Sequence, residues 1–593
     1  MCRIAGLINK RLSGEEIKHK VQAMCDSLQH GGPDDEGVYY DAVTNTALGN
    51  RRLSIIDLST NGHMPMADVD KKAWITFNGE IYNYRELKKE LIALGAKFSS
   101  DTDTEVILQA YLFWGTQAFT RLRGMFAFAL YDAVKQRTLL VRDTNGIKQL
   151  YYYINDGQLA FASEIRALKK AGIATTPDPN WPIWLLALGN IPEPHTTLKG
   201  VLNLPKGHFL TWQNDGTYKI ESYLQDKKSN YITNEKDATQ RIAELLKQAV
   251  SRQLIADAPI GVFLSGGIDS SLLTLLADKQ KKDGLKSLSV FFNEDRYDER
   301  MYQDVVSDKT DCKNYKFLVQ QQDFEDVFPD ILKAMDMPTT DGINTWFISK
   351  YAHQAGLKAV LSGIGADELF GGYPSFNRIK YLPYLRKLPT LFSSVISIAN
   401  NRFKKFEYLK NNHPLADYLF LRGLYNPTLV AQILDTTEQD INNTLFGSNN
   451  FPDLGNYNKQ HAAWFENNLY MQNQLLRDTD VMSMNHSLEV RVPFLDEDFK
   501  AFIETIHPDI RFSSKQPKKI LIDSFKNLLP ETVWNRPKMG FTFPLQQWMI
   551  NNEAIRDESI YKTTQAKKLI RKFKTGELHW SRAYALYQVQ TYV

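Results

Sequence analysis

The stretch Ser265-Gly266-Gly267-Ile268-Asp269-Ser270-Ser271 lies between two apolar runs, Ile260 to Leu264 and Leu272 to Ala277. It reads as strand, glycine turn and helix. Two glycines let a backbone approach a ligand closely, and the following helix aims its unpaired N–H groups at the turn. That chemistry favours a phosphate. No lysine closes the run as in G-x-x-x-x-G-K-[ST], so the usual cradle for β- and γ-phosphates is missing. A serine-capped turn with no ligand is the alternative for a bare Ser-Gly-Gly; the full heptad behind an apolar strand is more specific. A second reactive group stands at the other end of the chain. Cys2 follows Met1, and loss of Met1 would leave it N-terminal, with an α-amino group of ordinary pKa ~7.7–8.0 to serve its own thiol as base. Alone, a cysteine at position 2 carries little weight, so the reading depends on the rest of the chain.

Several elements are placed to position these groups. His30-Gly31-Gly32-Pro33-Asp34 is a turn, Arg51 to Asp57 a strand, and Phe77-Asn78-Gly79-Glu80-Ile81-Tyr82-Asn83 leads into a helix. On that helix Leu87, Leu91 and Leu94 share a face, and Gly95 stands at the C-terminal cap. Asp101-Thr102-Asp103-Thr104-Glu105 and Gly124 to Asp132 follow, and alternation around 138–141 and 151–162 predicts antiparallel hairpins. The polar, turn-rich stretch 214–235 is read as a boundary, giving domains 1–213 and 236–593. Beyond it, strands at Val262 to Leu264, Leu288 to Phe292, Tyr315 to Val319 and Ala359 to Leu361 alternate with helices such as Thr345 to Gln354. Such alternation predicts a parallel sheet with ligands at the C-terminal strand ends. A second glycine turn, Ser362-Gly363-Ile364-Gly365-Ala366-Asp367-Glu368-Leu369-Phe370-Gly371-Gly372-Tyr373, lies at one of them.

Cys2 with the stretches after it resembles the glutaminase domain of class II glutamine amidotransferases. The first glycine turn resembles the SGGxDS pyrophosphate loop of enzymes that split ATP between its α and β phosphates. The whole chain, including Met482 to Asp496 and Lys538 to Phe541, resembles the glutamine-hydrolysing asparagine synthetase family, more weakly over 380–460 and after 550. The resemblance implies an α+β N-terminal-nucleophile αββα sandwich followed by an α/β parallel-sheet pyrophosphate-loop ATP domain. In the first, Cys2 would attack glutamine, Asn78 and the Gly79 N–H would hold the oxyanion, Arg52 would pair with the glutamine carboxylate, and Glu80 and Asp103 with its ammonium. In the second, ATP contacts fall to Leu264, Ser265, Gly266, Gly267, Asp269, Ser270, Val290, Ser362 and Gly363. Asp269 and Asp367 would repel the phosphates unless Mg²⁺ lay between them. Lys518 would meet the reacting phosphate as a point charge.

Four departures from the family pattern stand out. Arg3 takes the place of a glycine, Gly31 that of the arginine in an HRGPD turn, and the segment Arg142 to Tyr152 differs from RDRFGIKPLYY. In the second turn the family's SGEGADELFGGY carries a glutamate where this chain has Ile364. Isoleucine neither accepts a proton nor hydrogen-bonds ammonia. Amidation of aspartate is the first expectation, with Asp341 or Asp336 supplying the lost carboxylate; amidation of another carboxylate, such as a sugar uronate in surface polysaccharide biosynthesis, is the second. A non-catalytic regulator or scaffold on the same fold is opposed by Cys2, Asp269, Asp367 and Lys518.

Composition narrows the field further. With 71 basic against 68 acidic residues and a net charge of +3 over 593 residues, neither nucleic acid nor an anionic membrane is demanded as a partner. The near-neutral balance and the lack of a C-x-x-C pair oppose a sulfur-transferring enzyme acting on tRNA. The cysteines Cys2, Cys25 and Cys312 give no disulfide framework, which fits a reducing cytoplasm. No run approaches the ~20 apolar residues of a membrane span, and the N-terminus lacks a signal-peptide core. Partners are expected to be small molecules (glutamine, ATP and a carboxylate), with a homodimer left open.

Overall fold

The computed structural model describes residues 2–224, 230–281, 284–387, 403–447, 451–452, 455, 457–513 and 516–592. Among the described residues, the first half forms two six-stranded antiparallel sheets. One runs edge to edge through Val201–Asn203, Tyr151–Asn155, Gln158–Ala162, Cys2–Asn9, Thr46–Arg52 and Asp35–Asp41. The other runs through Tyr218–Ser222, His208–Gln213, Arg137–Arg142, Gly124–Asp132, Ala73–Ile81 and Met66–Ala67.

Strand alternation sorts side chains into layers. Ile4 and Ile8 meet Ala127, Ala129 and Leu140 between the sheets. Ala5 and Leu7 turn the other way, to Ile17, Val21 and Met24 of the helix Gly14–Ser27. Ile75 and Phe77 face the helices Tyr84–Ala93 and Asp103–Trp114 through Leu87, Leu91 and Val106. Helix, sheet, sheet, helix is the expected αββα sandwich. Leu91 is fully buried, and its truncation to alanine would cost about 2–5 kcal/mol. Leu94, expected on the same face, is 51% exposed. The helix ends before it: Ala96 N–H closes back onto Leu91 O at 2.9 Å while Gly95 takes φ +96°, a conformation that suits glycine.

Two boundaries move. The strand expected over 51–57 stops at Arg52; Ile55 O instead accepts from Asp257 and Ala258 N–H at 2.9 and 3.2 Å, which ties this loop to the second half. The antiparallel sheet continues past residue 213, because Tyr218–Ser222 pairs with His208–Gln213 after the turn at Gly216.

The second half holds a five-stranded parallel sheet in the order Lys313–Leu318, Lys286–Phe291, Ile260–Phe263, Ala359–Leu361, Glu489–Arg491. Chain order reverses between Ile260–Phe263 and Ala359–Leu361, the position where open α/β sheets leave a crevice at their carboxyl edge. Both glycine turns leave the sheet at that reversal.

Candidate active sites

In the first half, Cys2 opposes Arg52 across the sheet and is 4% exposed. Its N–H donates to Asn78 Oδ1 at 3.4 Å, and Asn78 Nδ2 donates to Ser163 Oγ at 3.5 Å. Gly79 is pressed against the neighbouring strand, where a Cβ would lie 2.1 Å from Met125 O; only glycine fits. Burial pushes the Cys2 thiol up, against the lowering influence of Arg52, so the thiol needs a base. The structure therefore brings Cys2, Asn78 and Gly79 together.

Arg52 is adjacent but not a free fork. Its terminal nitrogens donate to Ser59 O at 2.9 Å and Asp57 O at 2.5 Å, with Ile56 O at 3.4 Å. The carbonyls of loop 56–59 hold its guanidinium in place. Glu80 and Asp103 form a buried acidic pair beside it. Asp103 Oδ2 accepts from Ile81 N–H at 2.9 Å, and burial pushes this carboxyl up to about 6. Burial and Glu489 push Glu80 well up, and its Oε2 is buried without a hydrogen-bond partner. Such an orphan costs free energy that a ligand cation would recover.

Sequence reasoning gave Arg491 no role, yet it reaches this pair from the second half. Its guanidinium lies 3.5 Å from Glu80 Oε1, pairs closely with Glu489, and donates to Gln253 O and Ile255 O at 2.8 and 2.6 Å. Its own carbonyl accepts from Ser362 N–H at 2.8 Å. One residue thus touches an acid of the first site with its side chain and the second glycine turn with its backbone.

At the sheet reversal, Leu264 N–H donates to Leu288 O at 2.7 Å and hands the chain to the first turn. Ser270 Oγ, one turn into the helix Ile268–Gln280, bonds Ser265 Oγ at 2.9 Å and Gly267 O at 3.2 Å. Gly266 takes φ +80°. Val290 is buried on the neighbouring strand, its carbonyl held by Gln303. The two turns touch: a Cβ on Gly363 would come within 2.9 Å of Asp269 Cβ. Lys518 Nζ sits 2.5 Å from both Asp269 Oδ2 and Asp367 Oδ1, and Lys538 Nζ is 2.7 Å from Asp367. The two lysines hold the Asp367 carboxyl down to about 2 despite its burial. Burial pushes Asp269 up, and its Oδ1 has no hydrogen-bond partner.

The donor set around a metal follows from this geometry. Among the described residues, no three His, Cys, Asp or Glu side chains converge to hold an ion by themselves. Two carboxylates sharing one ammonium, with a buried oxygen left over, suit a cation that takes its other ligands from phosphates and water, as Mg²⁺ does.

Residues 1–224 match the glutamine amidotransferase domain and residues 241–580 match asparagine synthase. The chain belongs to the glutamine-hydrolysing asparagine synthetase family. It is 30% identical over 575 residues to asparagine synthetase [glutamine-hydrolyzing] 1 of Bacillus subtilis, covering 94% of this chain and 89% of that one. A second B. subtilis relative, asparagine synthetase [glutamine-hydrolyzing] 3, is 27% identical across 96% of this chain and 92% of its own length. Amidase chyE of Penicillium rubens is 27% identical across 92% and 89%. The chain is an ATP-dependent, glutamine-hydrolysing carbon–nitrogen ligase.

Ile364, which stands where the family pattern has a carboxylate, is a half-buried side chain packed on the main core. Asp336 is committed elsewhere: it accepts from Ile165 and Arg166 N–H at 2.7 and 2.9 Å. Among the described residues, the Asp341 carboxyl accepts only from Gly342 N–H at 2.8 Å, its own N–H donates to Thr339 Oγ1 at 3.2 Å, and burial pushes the carboxyl up. A third carboxyl escaped sequence reasoning. Glu368, next to Asp367, is buried, accepts from Tyr373 Oη at 2.7 Å, and is pushed up to about 7 by burial and by Asp367. Its type was visible in the sequence; its titration range comes from the fold.

Proposed function

We propose that the protein makes asparagine from aspartate, glutamine and ATP. Lys518 carries this reading: one ammonium joins the pyrophosphate-loop Asp269 to Asp367 of the second turn, at the sheet reversal where ATP would lie. The Cys2 thiol, deprotonated by its freed α-amino group, attacks the glutamine side-chain amide. Ammonia leaves, and water hydrolyses the thioester to glutamate. Asn78 and Gly79 would hold each oxyanion. In the other half, aspartate attacks the α-phosphorus of ATP and pyrophosphate leaves, with Lys518 stabilising the developing charge. Asp269 and Asp367 would hold Mg²⁺, which supplies charge neutralisation for the phosphates when bound. Adenylylation gives the carboxylate a good leaving group in place of oxide. Ammonia then displaces AMP, and an internal passage keeps it from becoming ammonium in bulk water.

Ile364 favours one second reading, amidation of a different carboxylate by the same steps. A panel of carboxylates tested for ATP-dependent pyrophosphate release separates the two. Release with aspartate at a kcat of ~1–1000 s⁻¹, with asparagine as product, supports the first. Release only with a uronate or its nucleotide sugar replaces it with the second.

A further inference from the structure

Apart from both sites, the helices Pro427–Leu434, Thr564–Lys574 and Trp580–Thr591 enclose a cavity of about 70 Å³. A single water needs ~10–15 Å³ on a comparable measure, so there is room for a small polyatomic ion. Its lining is cationic. Lys405 enters from Phe403–Lys410, Lys568 and Lys572 stand one turn apart on the second helix, and Arg582 comes from the third. No residue of either glycine turn lines it.

Among the described residues, none of these four cations has an acidic partner, whereas their neighbours Arg571 and Lys574 both pair with Glu558. The nearest acid in sequence to Lys405, Glu407, is held instead by Asn426 and Thr428. Arg582 lies over the Tyr425 ring at 5.4 Å, which fixes its height in the cavity. Burial and the charges of Arg582, Arg378 and Arg422 push the half-buried Lys405 down to about 8. Four like charges around one recess, Lys568 exposed and the other three half-buried, repel each other at a cost in stability.

We propose that this cavity is a binding site for a small soluble phosphate-bearing anion. A phosphate carries enough charge to offset several ammonium groups and enough oxygens to accept from three or four donors at once. The recess is too small for a nucleic-acid backbone to thread. Convergence of Lys405, Lys568, Lys572 and Arg582 from three separate elements would make ligand binding draw those elements together.

Tungstate, a tetrahedral phosphate mimic visible by anomalous scattering, tests this directly. In phosphate-free crystals of the full chain, soaking places an anomalous peak between Lys405 and Arg582, distinct from any peak at the pyrophosphate loop. In solution, calorimetry with pyrophosphate resolves a binding phase that weakens about tenfold for each cation removed in Lys405→Gln and Arg582→Gln, while ATP–pyrophosphate exchange stays at the wild-type rate. An empty cavity under soaking conditions that fill the pyrophosphate loop would overturn the proposal. So would unchanged pyrophosphate binding in the double variant, which calorimetry and thermal melting would show to be folded.

Discussion

Gly31 lies directly against Arg3: a Cβ at position 31 would come 2.7 Å from Arg3 Cγ. Where the family carries glycine after the cysteine and arginine in the first turn, this chain has exchanged the two types. The Arg3 guanidinium is fully buried, 2.9 Å from Glu164 and 2.7 Å from Asp480, to which Lys148 also pairs at 2.7 Å. Arg3 thus brings one cation to a buried cluster that joins the halves, and Gly31 leaves it room.

Arg3→Gly takes one cation from Glu164, which keeps His30 and Arg166, and from Asp480, which keeps Lys148, and is expected to destabilise the protein by about 1.5–3 kcal/mol. Gly31→Arg alone forces two side chains into one space. The double exchange should recover much of the stability lost in either single variant. Denaturant midpoints of the four proteins measure this; a double variant no better than the sum of the singles would refute the exchange.

Asp103 sets a pH dependence. Its carboxyl titrates near 6 in the free protein, so it is neutral below that value and charged above it. We propose that Asp103 meets the glutamine ammonium in its charged form, so kcat/KM for glutamine hydrolysis should fall as pH drops through about 6. Asp103→Asn should abolish that acid limb and raise KM more than it lowers kcat. A limb that persists in the variant assigns it to another group.

Arg491 predicts the coupling between sites. Its side chain stands at Glu80 and its carbonyl at Ser362. In Arg491→Gln the charge facing Glu80 is lost, and the ratio of glutamate formed to amide product should rise well above one. An unchanged ratio with normal rates would show that the contact is only structural.

Lys518→Ala leaves Asp269 and Asp367 without their shared cation. ATP–pyrophosphate exchange should fall on the order of 100-fold or more, while glutamine hydrolysis continues. Lysine also holds the Asp367 carboxyl near 2. Below that value, where the folded-state carboxylate takes up a proton, the stability this pair contributes is lost; it is fully present above the ordinary carboxylate range near 4. Acid unfolding of the variant should begin at higher pH than that of the wild type, and coincident curves would contradict the assignment.

Much of the architecture was legible because local chemistry encodes it. The glycines of both turns, the Asn78-Gly79 pair and the alternation of the sheets depend on neighbours in sequence. What escaped depends on the fold. Arg3 and Asp480 are 477 residues apart, and no pattern announces that they pair. Arg491, Glu368 and Lys538 sit in recognisable segments, but their roles arise only when strands from distant parts of the chain pack together. Tyr218–Ser222 was hidden because an exposed edge strand carries a polar sequence like that of a linker.

In the proposed function one chain carries nitrogen from glutamine to an adenylylated carboxylate. Amide-¹⁵N glutamine, aspartate and ATP, incubated with the enzyme in excess unlabelled ammonium, test it by mass spectrometry of the products. The expected product is asparagine carrying ¹⁵N in its side-chain amide, formed one for one with AMP. Unlabelled product, or ADP in place of AMP, would contradict it.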